Sequence, residues 1–403
     1  MNARTARRLV VSRQRLAGPR LAGDLDGARS VLRSLRCVQL DPINVVARSH
    51  LLVLWSRLGV NPDRHLEQLL WRDRWLFEYW AHAASLVLTE DYPIHAANMA
   101  VFPPVESSYG RRVEAWLAAN DKLRKHILDT LRAEGPLPTR AFDDHAAVGW
   151  ESSGWTDGRS VERMLEFLWR RGEVMVGRRD GTTRLWDLRD NCLPATVDRT
   201  AAALPEAVTA AVEHALRALG VARPADVQRY FIRDYYATLS DALGALERAG
   251  RVVPVRLADD PSGSERWYVH RDVLPELTAI SEGRWAPRTV LLSPFDNLIS
   301  DRKRTARLWG FDFRNEMYTP KHKRQYGYYL MPILHGERLV GRISPRRDPK
   351  RGVLVVDGVF LEPDVRAGVG LRRSVTSQIA SLARLVGAHT VEYGPAVGRE
   401  WTG

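Results

Sequence analysis

Two polar side chains, Gln39 and Asp41, interrupt an apolar stretch near the start of the chain, in the sequence VQLDPINVVARSHLLVLWSRLG. Val38 to Asp41 alternate apolar and polar, which is the period of a half-buried strand. Pro42 restricts the residue before it to extended geometry, so Gln39 and Asp41 are expected on one face of that strand. An amide and a carboxylate placed side by side can hold one water molecule between them.

The same pair also has a purely structural interpretation. Asp41 could cap a helix that follows Pro42, and Gln39 could bond to the backbone. A buried polar group without a partner is costly, so the pair is either satisfied by the protein or kept for chemistry. Spacing alone does not separate these two interpretations.

The chain is basic, and otherwise ordinary for a globular protein. Its 403 residues are 45% apolar, and 60 Lys and Arg against 48 Asp and Glu give a formal charge of +12. This charge predicts a polyanionic partner, either nucleic acid or an anionic membrane surface, although an arginine-rich genome composition would also produce it. No stretch approaches the roughly 20 apolar residues of a membrane span. The basic N-terminus lacks the apolar core of a secretory signal, and a basic first helix explains it better than a transit peptide does.

The sequence carries no signal for a metal or cofactor. Its two cysteines, Cys37 and Cys192, are far apart and form no CxxC motif, which fits a reducing cytoplasm. The 11 histidines show neither HExxH nor HxH spacing. Gly-rich phosphate loops and the GxSxG motif are also lacking. We therefore expect no metal and no cofactor.

Two neighbouring segments, 121–200 and 201–287, share one pattern. Each has a helical stretch, a Gly-containing turn, a second short helix and a third helix that ends in LWRRG or LERAG. Two apolar-alternating runs follow around a polar hairpin, RRDGTT or ADDPSGSE. Three helices closed by a two-stranded wing are typical of a winged helix. The alternative is a three-helix unit packed on an unrelated scaffold.

The remaining segments flank this pair. Residues 1–120 are interpreted as a degenerate winged helix that contains the Gln-Leu-Asp motif and a long helix directly after Pro42. Residues 288–403 contain apolar strands separated by Gly-Glu and Asp-Gly turns, then one helix and a short strand. The predicted fold is α+β and mainly α, with three tandem winged-helix units and a C-terminal β-barrel-like domain.

Several stretches resemble the YcaQ/AlkZ family of bacterial DNA glycosylases, over nearly the whole chain. They are VQLDPINVVARSHLLVLWSRLG, FEYWAHAASLV, LEFLWRRGEV, LLSPFDNLISDRKRTARLWGFDF and YTPKHKRQYGYYLMPILHGERLVGRI. The resemblance implies three tandem winged helices and a C-terminal β-barrel. It also implies a catalytic signature, Gln-Φ-Gln in the AlkZ-like branch and Gln-Φ-Asp in the YcaQ-like branch, where Φ is apolar. Gln39-Leu40-Asp41 matches the second form.

The YcaQ-like branch implies removal of N7-alkylated purines and unhooking of crosslinks of the nitrogen-mustard type. The AlkZ-like branch is associated with self-resistance to specific genotoxic natural products. On this resemblance Asp41 would stabilise the cationic sugar and activate water, and Gln39 would orient that water. No lysine amine is required, so we expect a monofunctional enzyme that leaves an abasic site.

Other polar residues near these motifs are weaker candidates. Arg48 and His50 follow the motif on a predicted helix and could contact phosphate or the lesion, or simply form a solvated face. His82, in YWAH, could face the same pocket, or could be a satisfied core histidine. Asp296 and Asn297, in SPFDN, are predicted to fix a turn.

Two basic stretches suggest a surface that grips DNA. DRKRTAR and KHKRQYGYY mix cations with aromatic residues. Within them we select Lys321, Lys323 and Arg324, with an ordinary exposed hairpin as the alternative. The predicted partner is duplex DNA containing alkylated purines, bound by a cytoplasmic, nucleoid-associated monomer. The rival functions are a non-catalytic winged-helix transcriptional regulator and an RNA- or anion-binding scaffold.

Overall fold

The computed structural model describes residues 1–150, 159–232, 238–258 and 265–401. The chain forms two compact units, one made of Met1–His65 with Val212–Gly403 and the other of Leu66–Ala211. The first unit therefore uses both ends of the chain, whereas the second is one continuous segment. The predicted N-terminal segment, residues 1–120, is divided between the two units.

The N-terminal part of the chain carries the motif on a short strand between helices. Its elements are α1 (Ala3–Arg13), α2 (Leu25–Leu35), β1 (Cys37–Gln39), α3 (Ser49–Leu58) and α4 (Asp63–Glu67). The Asp24 side chain caps α2 by accepting from the backbone N–H of Gly27. Ala28, Val31, Leu32 and Leu35 are buried at the spacing of one helical face. Helix α2 thus packs into the core, and β1 begins two residues after the helix ends.

The long helix predicted directly after Pro42 is wrong at its start. Helix α3 begins only at Ser49, and residues 40–48 have an irregular backbone. Asp41 accepts a hydrogen bond from the backbone N–H of Ile43 at 2.9 Å, which is an Asx turn that competes with helix formation. The β-branched residues that follow, Ile43, Val45 and Val46, also disfavour a helix.

The second unit contains a hairpin, several helices and a small sheet. Its elements are β2 (Leu76–Trp80), β3 (Ala84–Leu88), α5 (Tyr92–Ala100), α6 (Ser108–Ala119), α7 (Asp121–Glu134), β4 (Leu137–Pro138), α8 (Ser160–Arg170), β5 (Val174–Asp180), β6 (Thr183–Leu188) and α9 (Arg189–Cys192). Strands β5 and β6 form an antiparallel hairpin, and β4 pairs with β6. Residues 151–158 of the predicted winged helix lie outside the described ranges.

The next stretch resembles the part of the second unit from α7 to α9. It consists of α10 (Leu204–Leu219), β7 (Val221–Ala222), α11 (Pro224–Gln228), α12 (Leu239–Arg248), β8 (Val252–Val255), β9 (Trp267–His270) and α13 (Leu274–Ser281). Strand β9 pairs with both β7 and β8, as β6 pairs with both β4 and β5. Most of the hairpin predicted at ADDPSGSE lies outside the described residues. The likeness between the two segments extends to sheet order, and the total of three winged-helix units stays a prediction.

The C-terminal part is a curled, open five-stranded sheet, a half-barrel. Its elements are β10 (Thr289–Leu291), α14 (Arg302–Trp309), β11 (Met331–His335), β12 (Arg338–Asp348), β13 (Val353–Leu361), α15 (Val369–Leu385) and β14 (Thr390–Tyr393). The strands pair in chain order and antiparallel, except that β14 runs parallel to β13. Register shifts at Ile333/Leu334 and Ser344/Pro345 bend the sheet. The predicted β-barrel-like domain is thus an open half-barrel, and the predicted helix is present as α15.

One predicted turn in this sheet is wrong, and one is confirmed. Asp357 and Gly358 lie inside β13, opposite the register shift at Ser344/Pro345. This Asp-Gly pair is therefore part of a β-bulge and not of a turn. The Gly336-Glu337 turn does connect β11 and β12.

Each helix in the described ranges is too short or too polar to be a transmembrane span.

A hydrophobic core joins the half-barrel to the segment that follows the motif. Leu52 and Trp55 of α3 are buried in one cluster with side chains of β10 to β13 and α15. Ile43, Val45 and Ala47 pack against the same cluster. The chain just after Asp41 is thereby anchored by apolar contacts on the C-terminal sheet.

Candidate active site

Asp41 lies just beyond the end of β1, where the chain turns toward α3. The strand ends at Gln39, and the Asp41 carboxylate accepts the Ile43 N–H at 2.9 Å. The predicted strand is therefore shorter than the alternation suggested. The residue at the N-cap of α3 is Arg48, so the interpretation of Asp41 as a helix cap is wrong.

Gln39 is held by its backbone, and its side chain stays available. The Ser49 hydroxyl donates to the Gln39 carbonyl at 2.7 Å, which ties the first residue of α3 to the end of β1. Among the described residues, no hydrogen bond is found to the Gln39 side-chain amide, which is half-buried. An amide at this position can donate to or accept from a bound molecule.

The Asp41 carboxyl is electrostatically unusual. Burial raises the pKa of Asp41, and the hydrogen bond from Ile43 N–H opposes this effect only in part. The pKa values of Tyr318 and Tyr329 are also raised, mainly by burial and additionally by the negative charge of Asp41. Two tyrosines therefore lie within electrostatic range of the carboxylate. Tyr329 is buried, whereas Tyr318 is 70% exposed.

Packing places the loop before β11 next to the motif. Met317 and Tyr329 belong to the same core cluster against which Ile43 packs. The backbone N–H of Arg347, in β12, donates to the Val45 carbonyl at 3.1 Å. Two distant parts of the sequence, the motif and the aromatic and basic loop at 317–329, are thus brought together in the first unit.

The predicted basic hairpin is a helical turn within this loop. Lys321–Lys323 form one 3₁₀ turn, and both lysines are exposed. Arg324 has a different environment. Its Nε donates to the carbonyls of Glu316 at 3.2 Å and Thr319 at 2.9 Å, and its guanidinium lies 4.8 Å from the Tyr328 ring centre. Arg324 stabilises the loop, while the two lysines face solvent.

The other basic run, DRKRTAR, points partly inward. Arg304 is buried and pairs with Asp226 at 3.1 Å. Arg302 donates to the carbonyls of Pro294 and Ile299, each at 2.6 Å. The prediction that this run grips DNA is therefore wrong for these two arginines, because their donors are used inside the protein.

The remaining predicted residues occupy three different positions. Arg48 is the N-cap of α3, and its carbonyl accepts from the N–H of Leu51 at 3.1 Å and Leu52 at 3.2 Å. His50 lies in the first turn of α3 and is half-buried. His82 lies between β2 and β3, in the second unit. Arg48 and His50 follow Asp41 closely in the first unit, and His82 does not belong to that unit.

The buried polar groups that hold β1 were not predicted from the sequence. The Asn297 side-chain nitrogen donates to the Cys37 carbonyl at 2.8 Å and to the Tyr230 hydroxyl at 3.1 Å. The Tyr230 hydroxyl in turn donates to the Leu35 carbonyl at 2.8 Å. Both ends of the turn from α2 into β1 are fixed in this way. One feature of the sequence could have indicated them, namely the Asn297 amide in the apolar stretch LLSPFDNLI. Burying an amide is costly unless it has hydrogen-bond partners.

Asp296, beside that asparagine, forms a buried ion pair with Arg57 of α3. The pair is bidentate, with N–O distances of 2.5 and 2.9 Å, and both side chains are fully buried. Arg57 also donates to the Gln14 carbonyl at 3.0 Å, and Asp296 accepts the Leu298 N–H at 3.0 Å. The hydrogen bond from the Leu298 N–H to the Asp296 side chain confirms the turn predicted at Asp296. Such a fully bonded pair specifies geometry more than it adds stability, and it aligns α3 with the loop that holds β1.

The second unit contains a group of side chains of metal-ligand type. Among the described residues, His126, Asp143 and His145 of the second unit have ligand atoms within 4.8 Å of one another. Asp143 and His145 are exposed. The predicted lack of a metal stays a prediction.

Comparison with known proteins identifies relatives of this chain. A family model described as DNA glycosylase AlkZ-like matches residues 32–385, a range that includes Gln39 and Asp41. The DNA glycosylase AlkZ of Streptomyces sahachiroi has a similar structure, with a TM-score of 0.69 and 18% sequence identity. The match covers 99% of this chain and 100% of that chain. At this identity the structural likeness concerns the fold, whereas the family match concerns most of the sequence.

Proposed function

Because the chain belongs to the AlkZ-like family of DNA glycosylases, we propose that it hydrolyses the N-glycosidic bond of cationic N7-alkylated purines in duplex DNA. We assign Asp41 as the catalytic carboxylate and Gln39 as its partner. The observation that carries this assignment is the environment of the two side chains. An acceptor with a pKa raised by burial lies two residues from an amide that no described residue satisfies.

The substrate chemistry suits a carboxylate that acts without a strong general acid. Alkylation at N7 makes the purine cationic, so it departs without prior protonation. The remaining tasks are to stabilise an oxocarbenium-like sugar and to deliver water to C1′, as carboxylates do in glycoside hydrolysis. A carboxylate taken partly out of water stabilises the developing positive charge better than a solvated one.

Asp41 and Gln39 have different roles toward the water molecule. Asp41 accepts the proton as the water oxygen bonds to C1′, and the bond between C1′ and N9 breaks with its electron pair leaving on the purine. Burial raises the pKa of Asp41, which makes it a stronger base than an ordinary aspartate. Gln39 accepts from the same water and orients it. Because no amine attacks the sugar, the product is an abasic site.

The surrounding residues supply contacts to DNA in this proposal. The exposed lysines Lys321 and Lys323 contact phosphates, which position the duplex without reading its sequence. Arg48 and His50 are proposed to approach the damaged strand from the start of α3, and His82 is a further DNA-contact proposal. Family membership favours the enzyme over a non-catalytic winged-helix regulator.

Finer features follow from the same chemistry. A crosslink of the nitrogen-mustard type contains cationic N7-alkylated purines, so hydrolysis of one N-glycosidic bond would unhook it. We propose that the enzyme acts as a monomer, in the cytoplasm and on the nucleoid. Neither a metal nor a cofactor is needed for the steps above.

The direct test uses duplex DNA with one N7-methylguanine. Single-turnover incubation should release the base, and alkaline treatment should then cleave the strand at the abasic site. A parallel duplex with a nitrogen-mustard crosslink tests unhooking. A folded protein that binds the N7-methylguanine duplex but leaves every strand intact would contradict the assigned substrate.

A further inference from the structure

Two histidines and an aspartate of the second unit lie close enough together to share one metal ion. The potential ligand atoms of His126, Asp143 and His145 all lie within 4.8 Å of one another. The two imidazole rings meet edge to face, with their centres 4.5 Å apart. Within the described ranges, this is the one group of three or more His, Cys, Asp and Glu side chains with such spacing.

The helix that carries His126 is fixed in the core of the second unit. Leu123, Ile127 and Leu131 of α7 are buried at the spacing of one helical face. His126 is half-buried, and its Nε2 atom is shielded from solvent and has no hydrogen-bond partner in the described part of the chain. A buried polar atom without a partner is costly, and a metal ion bound through that atom would remove the cost.

The loop that carries the other two side chains is held against the start of the same helix. Asn120, the buried N-cap residue of α7, accepts the backbone N–H groups of Ala147 at 2.8 Å and Val148 at 3.1 Å with its side-chain oxygen. At the other end of the loop, Phe142 is buried. Both candidate ligands therefore extend from a loop that is anchored on either side.

The ligand types and their spacing suit Zn²⁺. Two imidazoles and one carboxylate form a set typical of Zn²⁺ sites in which water takes the fourth position. With bonds of about 2.0 to 2.1 Å, the ligand atoms of a tetrahedral site are about 3.3 Å apart. The group has to close by at most about 1.5 Å to reach that spacing, and Asp143 and His145 are exposed side chains that can rotate to do so. Mg²⁺ and Ca²⁺ prefer oxygen ligands, so two imidazoles disfavour them.

We propose that His126, Asp143 and His145 bind one Zn²⁺ ion, which fastens the loop to α7. Its role is structural, because the ion joins a helix and a loop of the same unit. The proposal does not depend on the proposed function.

This site has no local sequence motif. No metal was expected from the sequence, because the histidines lack HExxH and HxH spacing. His126 and Asp143 are 17 positions apart, and they meet only because the chain turns back after α7.

The direct test is calorimetric titration of the full-length protein with Zn²⁺, after purification without a polyhistidine tag and removal of metal with EDTA. Asp143→Asn and His145→Gln should each weaken binding at least about 100-fold, because loss of even an outer partner of a metal ligand typically costs 10- to 100-fold. Both side chains are exposed, so both variants should melt like the wild type in the absence of metal.

Two matched controls separate ligation from general effects of charge. Asp144→Asn removes the neighbouring carboxylate and keeps an oxygen for the Ala146 N–H, which Asp144 accepts at 3.0 Å. Its Zn²⁺ affinity should stay within about fivefold of wild type, since an exposed charge acts weakly through solvent. His389→Gln removes an exposed histidine of the first unit and should leave the affinity unchanged.

Two further measurements report on the ion itself. Zn²⁺ at about 100 times its Kd should raise the melting temperature of the wild type by about 5 °C and leave that of His145→Gln unchanged. Bound Co²⁺ should give the visible absorption of a tetrahedral site in the wild type and not in His145→Gln. Equal Zn²⁺ affinity in the wild type and His145→Gln would overturn the proposal. Equal losses in Asp143→Asn and Asp144→Asn, or displacement of Zn²⁺ by an equal concentration of Mg²⁺, would overturn it as well.

Discussion

Replacing Asp41 with asparagine isolates the negative charge at the candidate site. Asparagine has nearly the same shape, and its side-chain oxygen can accept the Ile43 N–H that Asp41 accepts at 2.9 Å. The Asx turn is therefore expected to survive. What disappears is the negative charge and the ability to accept a proton from water.

The structure predicts that this variant is at least as stable as the wild type at neutral pH. Because burial raises the pKa of Asp41, the ionised carboxylate is less favourable in the folded protein than in the unfolded chain. This cost is absent below the unfolded pKa and reaches its full value once the pH has risen above the folded pKa. A neutral amide carries no such cost at any pH.

The expected effect on catalysis is large by comparison. Loss of a positioned base typically lowers a rate by about 10²- to 10⁴-fold, which corresponds to about 2.7 to 5.5 kcal/mol of transition-state free energy. Lost stabilisation of the sugar cation would add to this. An unchanged melting temperature together with a hundredfold slower excision is therefore the expected pair of results.

The assay is single-turnover release of N7-methylguanine from a duplex, with thermal melting measured on the same preparations. Asp41→Ala is the matched comparison, because it removes both the charge and the turn; it should lose activity and also about 1 kcal/mol of stability with the hydrogen bond. An Asp41→Asn protein that melts normally and excises the base at nearly the wild-type rate would refute the catalytic assignment. The turn would then be the only role left for Asp41.

Four further results are expected. The single-turnover rate should fall as the pH is lowered, with its midpoint above the ordinary aspartate pKa of 3.8, and a midpoint at or below that value would contradict the raised pKa. Gln39→Ala should slow excision by less than Asp41→Asn, and an equal or greater loss would give the amide the leading role. Asn297→Leu leaves buried acceptors unpaired, so it should cost about 1 to 3 kcal/mol of stability and slow excision at saturating enzyme; excision at the wild-type rate would show that this bond does not position β1. Replacing Lys321 and Lys323 with alanine should weaken binding equally for damaged and undamaged duplexes, and a loss confined to damaged DNA would place them at the lesion.

Local pattern was enough to predict a strand at the motif. The alternation of Val38 to Asp41 indicated a strand, and the structure has one from Cys37 to Gln39, which ends before Asp41. The start of α3 was placed too early because an apolar run does not reveal where helical periodicity begins. The hydrogen bond from Ile43 N–H to the Asp41 side chain delays the helix.

Long-range partners could not be predicted from local pattern. Asn297 and Cys37 are separated by 260 positions, and Arg304 and Asp226 by 78. A run of charged residues is usually exposed to solvent. The sequence does not reveal that Arg304, in such a run, pairs with a buried carboxylate from a different segment, that of Asp226. The roles of Asn297 and Arg304 therefore emerge only from the fold.

The division of the first unit has a consequence for synthesis on the ribosome. Strand β1 precedes the segment Leu66–Ala211, whereas the two side chains that hold it, Tyr230 and Asn297, follow that segment. At the usual elongation rate of about 5 to 20 residues per second, the ribosome needs roughly 7 to 30 s to translate that segment. During this time the nascent chain contains β1 and the Gln-Leu-Asp motif, but Tyr230 and Asn297 have not yet been synthesised. A chain released before residue 297 would contain the whole Gln-Leu-Asp motif but would lack the Asn297 hydrogen bond to the Cys37 carbonyl.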